Sequence, residues 1–219
     1  MFDFERSHDP ADARFRLAEA ARRVIEQLTS STASDDAFEQ ARDLVEQAAG
    51  LLDARGHDRL YSGAEASLSD HQDAIFLDFS PLVGGLNPLA PPIAMHVDGG
   101  DVVGDVVFGS AYEGPPGCVH GGFIAASFDE VLGFAQSLGG QPGMTARLQI
   151  SYRSPTPLHR PLRFVGRIDR VEGRKIHTSA TLHHGDTLCA EAEGLFVSVK
   201  PEVFVRLMQD RAQRTDRAG

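Results

Sequence analysis

The sequence predicts an α+β domain in which a curled antiparallel sheet wraps one long helix, behind an N-terminal helical extension. Three observations predict it. Apolar residues recur at helical spacing up to about residue 55, the period changes to strand-like alternation after residue 100, and one helical stretch, 120–138, interrupts that alternating region. A half-apolar sheet and an apolar helix stripe are stable only when each buries the other.

In chain order, Phe15, Ala18, Ala21, Arg22, Ile25 and Leu28 recur at three- and four-residue steps before a polar break over 29–35. Asp35 reads as the N-cap of a second helix, which carries Phe38, Ala41, Leu44, Val45, Ala48 and Leu51 to a stop near Gly56. Residues 57–100 hold one apolar patch, Ile75-Phe76-Leu77, and the stiff run Asn87-Pro88-Leu89-Ala90-Pro91-Pro92, and read as a connection or lid outside the core. A strand over 102–112 puts Val102, Val106, Phe108 and Tyr112 on one face. The helix that follows opens at His120-Gly121-Gly122 and stops at Gly139-Gly140. Strands over 145–153, 162–171, 175–184 and 187–199, separated by Pro155-Thr156-Pro157, Glu172-Gly173 and His184-Gly185-Asp186, read as an antiparallel meander. The division expected is an extension and linker over 1–70, a sheet-and-helix domain over 71–205 and a polar tail over 206–219.

Composition narrows the function. The 219 residues carry a net charge of −10, which argues against nucleic acid as a partner, since phosphate backbones select basic surfaces. All the excess acid lies in residues 1–100, with 8 basic and 18 acidic side chains, while 101–219 hold 13 of each. No run approaches the roughly 20 apolar residues of a membrane span, and Met1-Phe2-Asp3-Phe4-Glu5-Arg6 lacks a signal peptide's order, so a cytoplasmic protein is expected. Two cysteines without CxxC spacing, Cys118 and Cys189, are expected to be free thiols, and no metal is expected.

The chemistry concentrates on the helix opening at His120. Gly121 and Gly122 leave the unpaired N–H groups of its first turn unshielded, where the helix dipole is positive, which makes an oxyanion site. Farther along, Asp129 shares a face with Ala125, Ala126 and Gly133, a setting expected to desolvate the carboxylate and leave room for a ligand. Glu130 lies on another face, with Phe123, Ser127 and Phe134, and ranks second. His120 and Asp129 are nine residues apart, about two and a half turns, on opposite sides of the helix. If both act on one ligand, Asp129 works with the glycine amides of another subunit, which implies a homo-oligomer with its site at a dimer interface.

His120-Gly121-Gly122, Asp129 nine residues after the His, Thr145, and Ile150-Ser151-Tyr152-Arg153-Ser154-Pro155 together resemble the hot-dog thioesterase superfamily, in particular its PaaI-like branch. The resemblance spans about 102–199. It implies the hot-dog fold, hydrolysis of a fatty or aromatic acyl-CoA without cofactor, and a dimer or dimer of dimers. It also implies Asp129 as general base or nucleophile, the Gly121 amide as oxyanion donor, Thr145 as positioner of water or carboxylate, and His120 mainly as shaper of the turn. Gly122 and Ser154 fall in its substrate-binding stretches. One departure is Gly114, where some relatives carry a polar Asn or Gln six residues before the His.

Coenzyme A brings phosphates, and the stretch 147–175 holds eight basic residues, Arg147 and Arg153 among them, against Asp169 and Glu172. Some of these arginines are candidates to grip the nucleotide; the alternative is a solvated strand face kept charged against edge pairing. Cys118 and His120 have no third group to make a nucleophile pair, and His183 and His184 point to opposite strand faces, against a metal site. Two further classes fit the same pocket: an enoyl-CoA hydratase-type lyase, which would need an Asp and a His acting together, and a non-catalytic acyl-CoA-binding protein.

Overall fold

The computed structural model describes residues 12–53, 78–140, 143–199 and 203, so the apolar patch Ile75-Phe76-Leu77 and the tail over 206–219 lie outside the described residues. Two helices come first, α1 (Ala13–Ser30) and α2 (Asp35–Asp53), then β1 (Ala94–Asp98), β2 (Asp101–Val106) and a 3-10 turn (Ser110–Tyr112). The long helix α3 (Gly121–Ser137) precedes β3 (Gly143–Tyr152), β4 (Leu162–Glu172), β5 (Lys175–His184) and β6 (Thr187–Ser198). One antiparallel sheet holds all six strands, in the order β1-β2-β4-β5-β6-β3.

Three expectations are corrected here. The first strand stops at Val106, not at residue 112; Phe108 stays fully buried, but Tyr112 sits in the 3-10 turn and packs edge-on against Phe108 at 5.4 Å. The 57–100 stretch is not merely a connection, because β1 lies in it and Leu82, Ala90, Ile93 and Met95 are buried in the core. Alternation at Ile93, Met95 and Val97 is the strand signal, but only five residues pair there, between Pro88-Pro91-Pro92 and Gly99-Gly100. Lastly, the meander covers only β4, β5 and β6: the chain crosses over after β3, which pairs with β6 and stands at the sheet edge.

Helix α3 packs across β2 to β6. Its core face is Ile124, Phe128, Val131, Leu132 and Ala135, all at most 2% exposed, whereas Leu138, just past the helix end, is 41% exposed. Each of the four larger side chains, buried in this way, contributes about 1.5–3 kcal/mol, and Ala135 less. Phe128 meets Phe164 of β4 edge-to-face at 5.1 Å. The helix comes so close to β4 that a Cβ at Gly166 would lie 2.8 Å from Val131 Cγ1.

Helix α1 docks on this unit through its predicted stripe. Ala18 is buried, and Arg22 donates to the carbonyls of Gly85 and Asn87, both at 2.9 Å, while Glu19 holds the same guanidinium at 2.5 Å. Leu28 lies off that contact and is 66% exposed. Helix α2 has no buried residue, and Ser34 Oγ accepts the Ala37 N–H at 3.4 Å, putting the cap one residue before Asp35.

Candidate active site

The first turn of α3 is built from two loops. His120 takes extended backbone angles as N-cap, and its Nδ1 accepts the Gly122 N–H at 3.0 Å. The loop before it is fixed by His120 N–H to the Tyr112 carbonyl and Val119 N–H to the Thr156 carbonyl, both 2.8 Å. Tyr152, at the end of β3, donates its phenol to the Gly121 carbonyl at 2.8 Å, with its ring over that glycine: a Cβ at Gly121 would meet the Tyr152 hydroxyl at 3.3 Å. These bonds divide the two glycine amides. Gly122 N–H is consumed by His120, so Gly122 offers no oxyanion donor, whereas Gly121 N–H donates to no acceptor among the described residues.

Gly114 has a steric reason. A Cβ there would lie 2.7 Å from His120 Cα, so the Asn or Gln expected of some relatives would collide with the cap backbone.

Eight residues on from Gly121, about 12 Å along the axis, Asp129 Oδ1 accepts the Thr145 hydroxyl at 2.8 Å. Thr145 precedes a bulge in β3 between Thr145 and Arg147, which re-aims the strand beside the helix. The expectation of a desolvated Asp129 is corrected: within one chain the carboxylate is exposed, because Ala125 and Ala126 leave room without giving cover. Glu130 is the acid that burial reaches. Desolvation pushes its carboxyl above the usual range, the Ser80 hydroxyl opposes this by donating to Oε1 at 2.7 Å, and the Asp129 charge adds to it. Ser80 belongs to the 57–100 stretch, expected from the sequence to lie outside the core.

The sites predicted from the sequence thus fall into two groups. His120, Gly121, Gly122, Arg153 and Ser154 gather at the start of α3 and end of β3, while Asp129, Thr145 and Arg147 gather at the far end. One chain does not bring Asp129 and Gly121 onto one ligand atom.

Most of the basic excess over 147–175 is paired, and apart from the local pair Arg170–Glu172 the partners come from other strands that the local sequence does not reveal. Arg153 pairs with Glu191, Arg163 with Asp105 at 2.8 Å, Arg167 with Asp101 at 2.7 Å and Arg170 with Glu172 at 2.7 Å, while Arg174 donates to the Ser198 carbonyl at 2.9 Å. Among the described residues Arg147 and Arg160 have no acidic partner. A groove of about 470 Å³ on the outer sheet face, including Gln149, Arg167, Glu191 and Glu193, contains neither Gly121 nor Asp129.

Both cysteines are free thiols, Cys189 buried and Cys118 partly so. His184 Nδ1 lies 3.0 Å from the Pro161 carbonyl oxygen, and no group of three or more His, Cys, Asp or Glu side chains suited to a metal stands together among the described residues. Among those residues no helix is long and apolar enough to cross a membrane. Tyr152 and Ser80 were missed as site residues; the signal for Tyr152 is its place beside Arg153-Ser154, and for Ser80 there is none.

The family model described as thioesterase superfamily matches residues 116–191, from the loop before α3 into β6. A solved thioesterase superfamily protein is similar at a TM-score of 0.74 and 35% identity, over 88% of this chain and 94% of that one. The acyl-coenzyme A thioesterase THEM4 of Bos taurus is 38% identical over 96 residues, 43% of this chain and 39% of the relative. The acyl-coenzyme A thioesterase THEM5 of Homo sapiens is 32% identical over 96 residues, with the same shares of 43% and 39%. The chain therefore spans about two fifths of the length of the curated relatives it matches. With a helix held in an antiparallel sheet, and likeness over nearly all of a solved member, the chain belongs to the thioesterase superfamily and has its hot-dog fold.

Proposed function

We propose that this protein hydrolyses the thioester of an acyl-CoA, the activity in the names of its THEM4 and THEM5 relatives, that the acyl group is fatty or aromatic, and that each site is shared between two copies of the chain. The observation that carries the reading is helix α3, with an N–H at Gly121 that has no acceptor among the described residues and, eight residues on, a carboxylate oriented by Thr145. The thioester oxygen sits on the Gly121 N–H of one subunit, where one preorganised donor contributes about 3 kcal/mol to the transition state. Asp129 of the other subunit takes a proton from water as the water oxygen bonds to the acyl carbon, or attacks that carbon itself to form a mixed anhydride that water then cleaves to the free acid; in either route the carbon–sulfur bond breaks and the coenzyme thiolate leaves, taking up the proton that water gives. Thr145 holds the carboxylate in line, and His120 holds the turn. Arg147, without an acidic partner among the described residues, is the better placed arginine for a CoA phosphate.

The pairing of two chains is supported by the open edge of β3 and the apolar side chains beside it: Phe123, Leu138, Met144 and Tyr152 are 37%, 41%, 51% and 54% exposed. A second copy laid along α3 and β3 would cover Asp129 and bring it to its neighbour's Gly121. The experiment is free-thiol release across a panel of acyl-CoAs of graded chain length and aromatic head group. Turnover on at least one is expected; none from any, with the substrates bound or hydrated instead, would replace this reading with a binding protein or a lyase.

A further inference from the structure

We propose that Glu26 of α1 is a positioning residue for the Gly121 N–H, acting through the 3-10 turn and His120. The catalytic significance of that N–H rests on the reading under Proposed function.

The physical chain is short. Glu26 Oε1 accepts the Ser110 N–H at 3.1 Å and Oε2 accepts the Ala111 N–H at 3.4 Å, so one carboxylate ties down the start of the turn, whose first N–H groups have no partner of their own. A Cβ at Gly109 would overlap the Glu26 carboxylate, so glycine at that position admits the contact. Within the turn, Tyr112 N–H reaches the Gly109 carbonyl and Glu113 N–H the Ser110 carbonyl, both at 3.2 Å. Its last residue then sets the cap of α3: the Tyr112 carbonyl accepts the His120 N–H at 2.8 Å, and the Tyr112 ring lies edge-on to Phe123, in the first turn of α3, at 4.9 Å. The Tyr112 hydroxyl is anchored on the Leu89 carbonyl at 3.0 Å, and burial pushes its pKa up to about 12, so it remains a donor. Gly121 follows His120 directly, so the direction of its N–H is inherited from the cap.

Ser110 has a second anchor, its hydroxyl 3.1 Å from His159 Nε2, but that contact holds the side chain and not the N–H groups of the turn. Arg22 supplies the contrast. It docks the same helix on Gly85 and Asn87 and makes no hydrogen bond to the turn or the cap among the described residues, although its charge acts on Tyr112. The Arg22 anchors and the Glu26 carboxylate are separate contacts of one helix, so each can be removed with the other in place.

The test compares Glu26→Ala, Glu26→Gln and Arg22→Ala in the full chain by thiol-release kinetics, thermal unfolding and amide hydrogen exchange at His120. For Glu26→Ala, kcat is expected to fall about tenfold with KM within about twofold, because a mispointed donor is lost mainly in the transition state. His120 amide exchange should quicken in the same variant. Glu26→Gln keeps one acceptor oxygen and should recover most of both. Arg22→Ala should lower Tm while leaving kcat and His120 exchange near wild type. Wild-type kcat and exchange in Glu26→Ala, or kcat falling in step with Tm in all three variants, would overturn the proposal. If the wild-type protein releases thiol from no acyl-CoA, the reaction assignment fails, and His120 exchange alone decides whether Glu26 holds the cap.

Discussion

Thr145→Val removes one hydroxyl and little else. Valine is nearly isosteric, suits an edge strand, and leaves the bulge after Thr145 intact. What disappears is the 2.8 Å donation to Asp129 Oδ1. A hydrogen bond to a charged group contributes about 1.5–3 kcal/mol, and because both side chains are exposed in a single chain the lower end applies. At 1.4 kcal/mol per decade, kcat is expected to fall about tenfold. KM should change little, since a hydroxyl that orients the base makes no contact with the leaving coenzyme. The assay is steady-state thiol release on the best acyl-CoA, with Thr145→Ser alongside; Ser keeps the donor and should stay within about threefold of wild type. A Val variant with wild-type kcat, or a Ser variant as impaired as Val, would refute the assignment of Thr145 to the carboxylate.

Gly114→Ala places a Cβ against the His120 backbone, which cannot yield as a side-chain tip would; overpacking of this kind costs about 1–3 kcal/mol, seen as a Tm lower by about 3–10 °C together with reduced turnover. Burial raises the Glu130 carboxyl above its ordinary 4.5, so the folded protein holds a proton that the unfolded chain gives up, and the stability this brings is complete below 4.5 and lost as pH rises through the raised value. Glu130→Gln keeps an acceptor for Ser80 and should therefore raise Tm at pH 7, with the gain shrinking toward pH 4 in a pH series of unfolding curves. Arg147→Ala should raise the acyl-CoA KM about threefold, one exposed phosphate contact, whereas Arg153→Ala, already paired with Glu191, should leave KM unchanged; equal effects in the same kinetic series would count against Arg147.

Several features were legible because they depend on residues close together in the chain. The switch from helical to alternating period at about residue 100 located the sheet domain, and the run from His120 to Asp129 carried both the glycine turn and the acid. What escaped depended on contacts distant in sequence. Strand β1 hid because five paired residues between prolines and glycines resemble a loop. The pairing of β3 with β6 is set by a crossover that no turn motif announces. A helical wheel assigned Asp129 and Glu130 to different faces correctly, yet it could not say which of the two Ser80 meets, and the burial expected at Asp129 belongs to Glu130. The arginines looked unpaired because Asp101, Asp105 and Glu191 come from β2 and β6. Arg22 in the apolar stripe of α1 was the visible hint that this helix docks through polar anchors as well.

The central claim is that Asp129 of one chain works with Gly121 of another, and mixing two disabled variants tests it most directly. Asp129→Ala removes the acid, and Gly121→Pro removes the N–H at the first helical position, which a helix accommodates in proline. Each alone should be inactive. After unfolding and refolding together at equal amounts, half of randomly formed dimers are mixed and each regains one of two sites, so activity should return to about a quarter of wild type. A mixture as inactive as its components, with mixed dimers shown to be present, would contradict the shared site.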